Sequence, residues 1–252
     1  MQAVNPREGA KAESTVHLKG LHYLEALKTL HELLLPSTYL EIGAAAGDSL
    51  KLADCLSVAI DPTFAIGINV MGRKPALHML QGGSVDIFAT RQLAGLLPNG
   101  ADFAFVDGLH LIEAAYDDLV GVEANANQRT VAIFHDVLPI NAEMAERGPV
   151  DRRDKGTRDW WTGDVWKLVP IIARHRPDLR VAVLDCQPTG ILVVQGLDRR
   201  NDVLSRLRHE ILSEWRDVRL ASYGIDRLYR ETPLVHAKDA AAVIGVVARG
   251  RF

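Results

Sequence analysis

The sequence has no uninterrupted apolar stretch approaching the ~20 residues that a bilayer-spanning helix needs, so no membrane span is expected among its 252 residues. Cysteine is scarce. Cys55 and Cys186 sit in apolar segments far apart, which points away from a disulfide framework and toward a reduced, cytoplasmic setting. Neither sign of charge dominates. A formal net charge of −3 gives no general attraction to phosphate backbones or anionic membranes, so nucleic acid is not an expected partner. The first residues, MQAVNPREGAKAEST, are polar and carry no apolar core, so a secretory leader is not expected either. Internal repeats and low-complexity linkers are also missing, and the length suits one α/β domain over 1–252 with terminal additions.

What is present is periodicity. Residues 17–35 place Leu18, Leu21, Leu24, Leu27, Leu30 and Leu34 on one helical face, and Pro36 ends the pattern. Short apolar runs then take over at 39–43, 56–61, 76–80, 102–107 and 130–136, most with acids at their ends. They read as strands buried on both faces, separated by helix-length segments at 48–54, 84–96 and 111–124. That alternation predicts a doubly wound α/β fold. A helix is expected over 166–176. Runs at 179–186 and 190–197 stand too close for a helical crossover and predict an antiparallel hairpin. Residues 201–215 read as helix, whereas 240–248 suit either a strand or a buried helix. The polar stretch 138–163 has the character of an active-site lid.

Ligands of open α/β sheets bind beyond the carboxyl ends of the strands. Residues 38–49, TYLEIGAAAGDS, place Glu41 at such an end. Gly43 and Gly47 would let backbone approach a ligand, and Asp48 or Ser49 can cap the helix that follows. Asp61 ends the second strand, 20 residues after Glu41, a position suited to a ribose diol. A dinucleotide site needs G-x-G-x-x-G beneath a pyrophosphate. Here the pattern is E-x-G-x-x-x-G, and a carboxylate beside the loop would repel a pyrophosphate. It suits a ligand carrying an ammonium and a sulfonium, such as S-adenosylmethionine, rather than NAD.

YLEIGAAAGDS, AIDP, QGGS, DFAFVDGLHLIEAAYDDL and FHDV, in that order, resemble the successive motifs of class I S-adenosylmethionine-dependent methyltransferases. The resemblance runs over about 38–197. It implies a Rossmann-like seven-stranded sheet, mostly parallel with a C-terminal antiparallel hairpin, and 198–252 as an extension. Within the class, DGLH and GDVWKLVPI resemble the bacterial O-methyltransferases of sugars and natural products, the macrolide-sugar type. By that resemblance Glu41 and Gly43 line the methionine end and Asp61 binds the ribose. Ser84 falls on the adenosine side, unless it only caps the next helix.

Asp107 and His110 follow the fourth strand; His135 and Asp136 end the fifth. Neighbouring parallel strands end on one rim, so these four side chains can converge. An alcohol is a poor nucleophile until it loses its proton, and a divalent cation with a nearby base removes that obstacle. The resemblance makes Asp107 and Asp136 ligands of Mg²⁺ or Mn²⁺ and His110 the base, with Asp107 also touching the cofactor. His135 departs from the catechol-type pattern, which has Asp there. It is either a ligand that favours a transition metal, or it points away and water replaces it. Trp160 and Trp161 are candidates for stacking on an acceptor ring or for packing the lid. Arg152, Arg153 and Arg158 either meet an anionic substrate or pair with Asp151, Asp154 and Asp159. The expected reaction is methyl transfer to a hydroxyl of a sugar or glycosylated natural product. A phenol or catechol acceptor is the alternative, and a metal-dependent phosphohydrolase or a silent methyltransferase-like binding module stand further off. The apolar run 240–248 is a surface that a second copy, as in a homodimer, would cover.

Overall fold

A computed structural model describes residues 16–148 and 161–248, with side chains as far as Ile244. Trp160, the three arginines and the three aspartates of the 151–159 stretch therefore lie outside the described residues. The strands are β1 (Thr38–Ile42), β2 (Leu56–Asp61), β3 (Leu77–Gln81), β4 (Ala101–Val106), β5 (Ala126–His135), β6 (Arg180–Leu184), β7 (Ile191–Gln195) and β8 (Leu234–Val235). They form one sheet in the order β3-β2-β1-β4-β5-β7-β6-β8, in which β7 alone runs against its neighbours. The order reverses between β1 and β4, and that switch point opens a crevice at the carboxyl ends of both.

Period-two alternation supplies both faces of the sheet. Leu40, Ile42, Val58, Ile60, Ala104, Val106, Ala132 and Phe134 belong to one buried cluster. That face is covered by α4 (Ile112–Ala124), α5 (Leu168–His175) and α6 (Val203–Trp215). Tyr39, Ala59, Phe103, Phe105, Val131 and Ile133 pack on the other face with α1 (Tyr23–Leu34) and α9 (Ala240–Ala248).

Several elements differ from expectation. The sheet has eight strands among the described residues, not seven. Leu234–Val235 has too few apolar residues to signal a strand, and tertiary pairing creates it: Val183 N–H donates to the Pro233 carbonyl at 2.9 Å and Asp185 N–H to the Val235 carbonyl at 3.1 Å. The first helix begins at Tyr23 rather than 17, because His22 Nδ1 accepts the Leu24 N–H at 3.3 Å and caps it there. Segment 48–54 holds only one 3₁₀ turn, Leu50–Leu52. Segment 84–96 splits into α2 (Ser84–Ala89) and α3 (Gln92–Leu96), with Arg91 between them at φ +57°. The run 240–248 is helical and belongs to α9. In the stretch expected to be a lid, Leu138, Ile140, Ala142 and Met144 are buried, so its first part is packed core.

Candidate functional site

The loop after β1 is shaped by contacts that a side chain would forbid. Gly43 has φ +85°, and a Cβ there would lie 2.0 Å from the Asp107 carbonyl oxygen. Gly47 has φ +88° and lies under Ile66 and Val70. Glu41 is fully buried between them and the sheet, accepting hydrogen bonds from the Tyr39 hydroxyl at 2.7 Å and the Ser49 hydroxyl at 2.6 Å. Burial pushes its carboxyl up to about 7, partly opposed by those two hydrogen bonds. Ser49 thus holds Glu41 and makes no capping bond to the turn that follows.

Asp61 fastens two loops. One carboxylate oxygen accepts the Ala45 N–H at 2.8 Å and the other the Thr63 N–H at 2.7 Å. A cleft of about 510 Å³ opens beside it, lined by Ile42, Gly43, Asp61, Ser84, Asp107 and Asp118 among others. Ser84 is the first residue of α2, whose N-cap is Gly83, so it does not cap that helix. Its hydroxyl bonds to Asp118, a residue not singled out in the sequence. Asp118 is buried, Oδ1 has no partner, and burial pushes the carboxyl up to about 7. The only sequence signal for it is its spacing: Ala114 and Asp118, four residues apart on α4, line the same cleft.

At the other side of Asp107 lies the second group. His110 Nε2 is 3.1 Å from Asp136 Oδ2 and 3.4 Å from Asp107 Oδ1. Its Nδ1–H donates to the Trp161 carbonyl, which leaves Nε2 as the nitrogen that faces the carboxylates. Asp107, His110 and Asp136 offer ligand atoms that all lie within 4.8 Å of one another. His135 is not part of that group. Its Nδ1 lies 3.3 Å from Asp107 Oδ1 and 3.5 Å from Asp136 Oδ1, its Nε2 is 3.5 Å from the Thr189 hydroxyl, and its ring is tilted against Tyr23 with centroids 4.3 Å apart. Asp136 adopts φ +63°, the left-handed region, where Asp is tolerated better than most residues. Strained backbone at a rim of charged groups is typical of functional sites.

The charges balance across this group. Burial disfavours a proton on His110, but the hydrogen bond to Asp107 and the charges of Asp136 and Asp107 outweigh it and raise its pKa to about 9. His135 is raised to about 9 in the same way. Asp107 is held low: burial works against its charge, and the two histidines overcome that. Asp136 goes the other way, raised by burial and by the charge of Asp107.

Two further residues brace the surroundings of this group, Asp164 at the start of α4 and Tyr23 against His135. Asp164 Oδ1 accepts the Ile112 N–H at 2.7 Å, at the first residue of α4. Its Oδ2 accepts from Arg147 at 2.6 Å and from the buried Lys167 at 2.7 Å. Tyr23, on the N-terminal helix, brings its ring over His135, and burial with the charges of Asp107 and Asp136 keeps its hydroxyl protonated.

No protein-family model matches the chain, and no curated protein matches it. Solved structures do. The O-methyltransferase TomG from Streptomyces achromogenes, involved in tomaymycin synthesis and solved with S-adenosylmethionine, is 16% identical at a TM-score of 0.51, over 69% of this chain and 78% of that one. The Podospora anserina methyltransferase PaMTH1, solved with S-adenosylhomocysteine, is 15% identical at 0.50, over 69% and 77%. Cofactor-bound Rv0187 from MTB is 16% identical at 0.50, over 77% and 84%. The chain therefore has the α/β Rossmann-like fold of these methyltransferases.

Proposed function

We propose that the protein is an S-adenosylmethionine-dependent O-methyltransferase that methylates a hydroxyl of a sugar or glycosylated natural product with the help of a divalent cation. The observation that carries this reading is the adjacency of two half-sites. Asp107 lines the cleft that holds Gly43, Asp61 and Ser84, and the same residue belongs to the three-residue group with His110 and Asp136. TomG, an O-methyltransferase involved in tomaymycin synthesis, lends support to a small-molecule acceptor.

When bound, S-adenosylmethionine supplies an electrophilic methyl group and a divalent cation acidifies a coordinated hydroxyl. Glu41 and Gly43 would receive the methionine end, Asp61 the ribose, and Ser84 the adenosine side. Gly47 and Ser49 shape the loop between them. Asp107 and Asp136 would hold the cation, and two carboxylates suit Mg²⁺ or Mn²⁺. His110 takes the acceptor's proton at Nε2, because its Nδ1–H is committed to the Trp161 carbonyl. The two carboxylates now favour a proton on that nitrogen, and neutralising them frees it to act as a base.

Calorimetric titration with S-adenosylhomocysteine and with NAD tests the cofactor. Binding of the first and not the second is expected, and the reverse would overturn the reading. Methyl transfer from labelled S-adenosylmethionine to a panel of sugar and phenolic acceptors should stop in EDTA and resume with Mg²⁺ or Mn²⁺. His110→Ala should retain cofactor binding and turn over ~10²–10⁴-fold more slowly, the range for a lost general base. Full turnover after chelation to a metal-free state would reject the cation, and normal turnover of the His110 variant would reject the base.

A further inference from the structure

The turn between β6 and β7 reaches the rim where Asp107, His110 and Asp136 meet. It can do so because β7 runs against β5: the chain enters β7 at the rim where β5 ends, and Ile191 pairs with His135. Thr189 lies in that turn. It is buried, and its hydroxyl donates to Asp136 Oδ1 at 2.5 Å. Its carbonyl accepts the Leu138 N–H at 2.7 Å, so Thr189 also holds the backbone two residues beyond Asp136. The hydroxyl oxygen also stands 3.5 Å from His135 Nε2, while His135 Nδ1 is 3.3 Å from Asp107 Oδ1. His135 Nδ1 also lies 3.5 Å from Asp136 Oδ1, so the imidazole touches both carboxylates and converges with the Thr189 hydroxyl, its nearer neighbour, on that oxygen.

We propose that Thr189 is a positioning residue for the cation: by occupying Asp136 Oδ1 it turns Oδ2 toward the gap shared with His110 Nε2 and Asp107. The inference rests on the reading that this group holds a divalent cation. Three facts carry it. The hydroxyl has one proton, and Asp136 Oδ1, at 2.5 Å, is nearer to it than His135 Nε2, at 3.5 Å. Oδ2 is the oxygen that faces His110, at 3.1 Å. Asp136 also sits at φ +63°, a backbone that L-residues adopt rarely and keep only where surrounding contacts hold it. Partners that orient metal-binding carboxylates in this way change metal affinity by roughly 10–100-fold when removed.

The test compares wild type, Thr189→Val and Thr189→Ser, without any acceptor. Val keeps the shape and loses the hydroxyl; Ser keeps the hydroxyl. Free Mn²⁺ is followed by electron paramagnetic resonance as protein is added, S-adenosylhomocysteine affinity by calorimetry, and folding by thermal melting. The expected result is Mn²⁺ binding weakened by about 10–100-fold in Thr189→Val, near wild-type binding in Thr189→Ser, and unchanged S-adenosylhomocysteine affinity in both. Wild-type Mn²⁺ affinity in Thr189→Val overturns the positioning role while leaving the cation in place. A wild type that binds S-adenosylhomocysteine but no Mn²⁺ overturns both the role and the cation. Should Thr189→Val fail to fold, Thr189→Ala makes the same comparison with a smaller side chain, and Mn²⁺ binding equal to wild type in that variant overturns the proposal.

Discussion

Glu41 is fully buried, and the proposed role for it beside a ligand ammonium requires that it ionise. Burial raises it from 4.5 to about 7, so the protonated fraction of Glu41 is large on the acid side of neutrality. A ligand ammonium favours the charged form, so binding should expel that proton. S-adenosylhomocysteine titrated near pH 6.5 in buffers of different ionisation enthalpy should give different heats, and the difference should vanish well above pH 7. Identical heats in all buffers would place the ammonium elsewhere. The same residue has a stability signature of fixed sign. Its folded pKa lies above the unfolded one, so its contribution is complete below about 4.5 and is lost as pH rises through 7. Glu41→Gln should flatten that part of the stability–pH curve. Asp61 is a different case, with both oxygens already holding backbone N–H groups. Asp61→Ala removes that anchorage together with any ribose hydrogen bonds, and should weaken S-adenosylhomocysteine by ~1–3 kcal/mol.

At the scale of elements, α4 is held by different means at its two ends. Its first residue is capped from a distance by Asp164, next to His110. Its other end carries Glu123, about 16 Å further along at 1.5 Å per residue. There the buried Arg176 donates to both oxygens of Glu123 at 2.7 Å and to Asp178 at 2.8 Å, tying α4 to the end of α5. Arg176→Met leaves Glu123 buried without its counter-charge and should cost about 3–5 kcal/mol in chemical denaturation. Cofactor affinity should hold, because neither Glu123 nor Arg176 lines the cleft. A loss of affinity matching the loss of stability would show that the two ends of α4 are coupled.

Across the whole molecule, Asp107 is the point where the two half-sites share a residue. Asp136→Ala should lose Mn²⁺ and keep S-adenosylhomocysteine, whereas Asp107→Ala should be impaired in both; separate titrations of the two ligands check this. The parts of this arrangement legible in the sequence are those written locally. Buried parallel strands announce themselves as apolar runs, and Gly43 and Gly47 mark where backbone comes close. Asp107, His110 and Asp136 stand at strand ends that the sheet brings together. What stayed hidden depends on contacts between distant segments. Thr189 meets Asp136 across 53 residues, Asp164 reaches Ile112 across 52, and β8 exists only because β6 offers it partners. No local periodicity records such contacts. The group that excludes His135 was hidden for the same reason, since its adjacency to Asp136 gave no clue to which of the two rings faces the gap.

One consequence concerns the smallest piece of this chain that can work. A fragment ending at 178 would contain every motif quoted from the sequence, from TYLEIG to GDVWKLVPI, but not the hairpin that follows them. It would lack β6 and β7, leaving β5 as a bare edge open to pairing with other chains. It would also lack Thr189, the side chain that reaches back to Asp136. Deletion series on this protein should therefore show a sharp boundary beyond 195, well past the last recognisable motif.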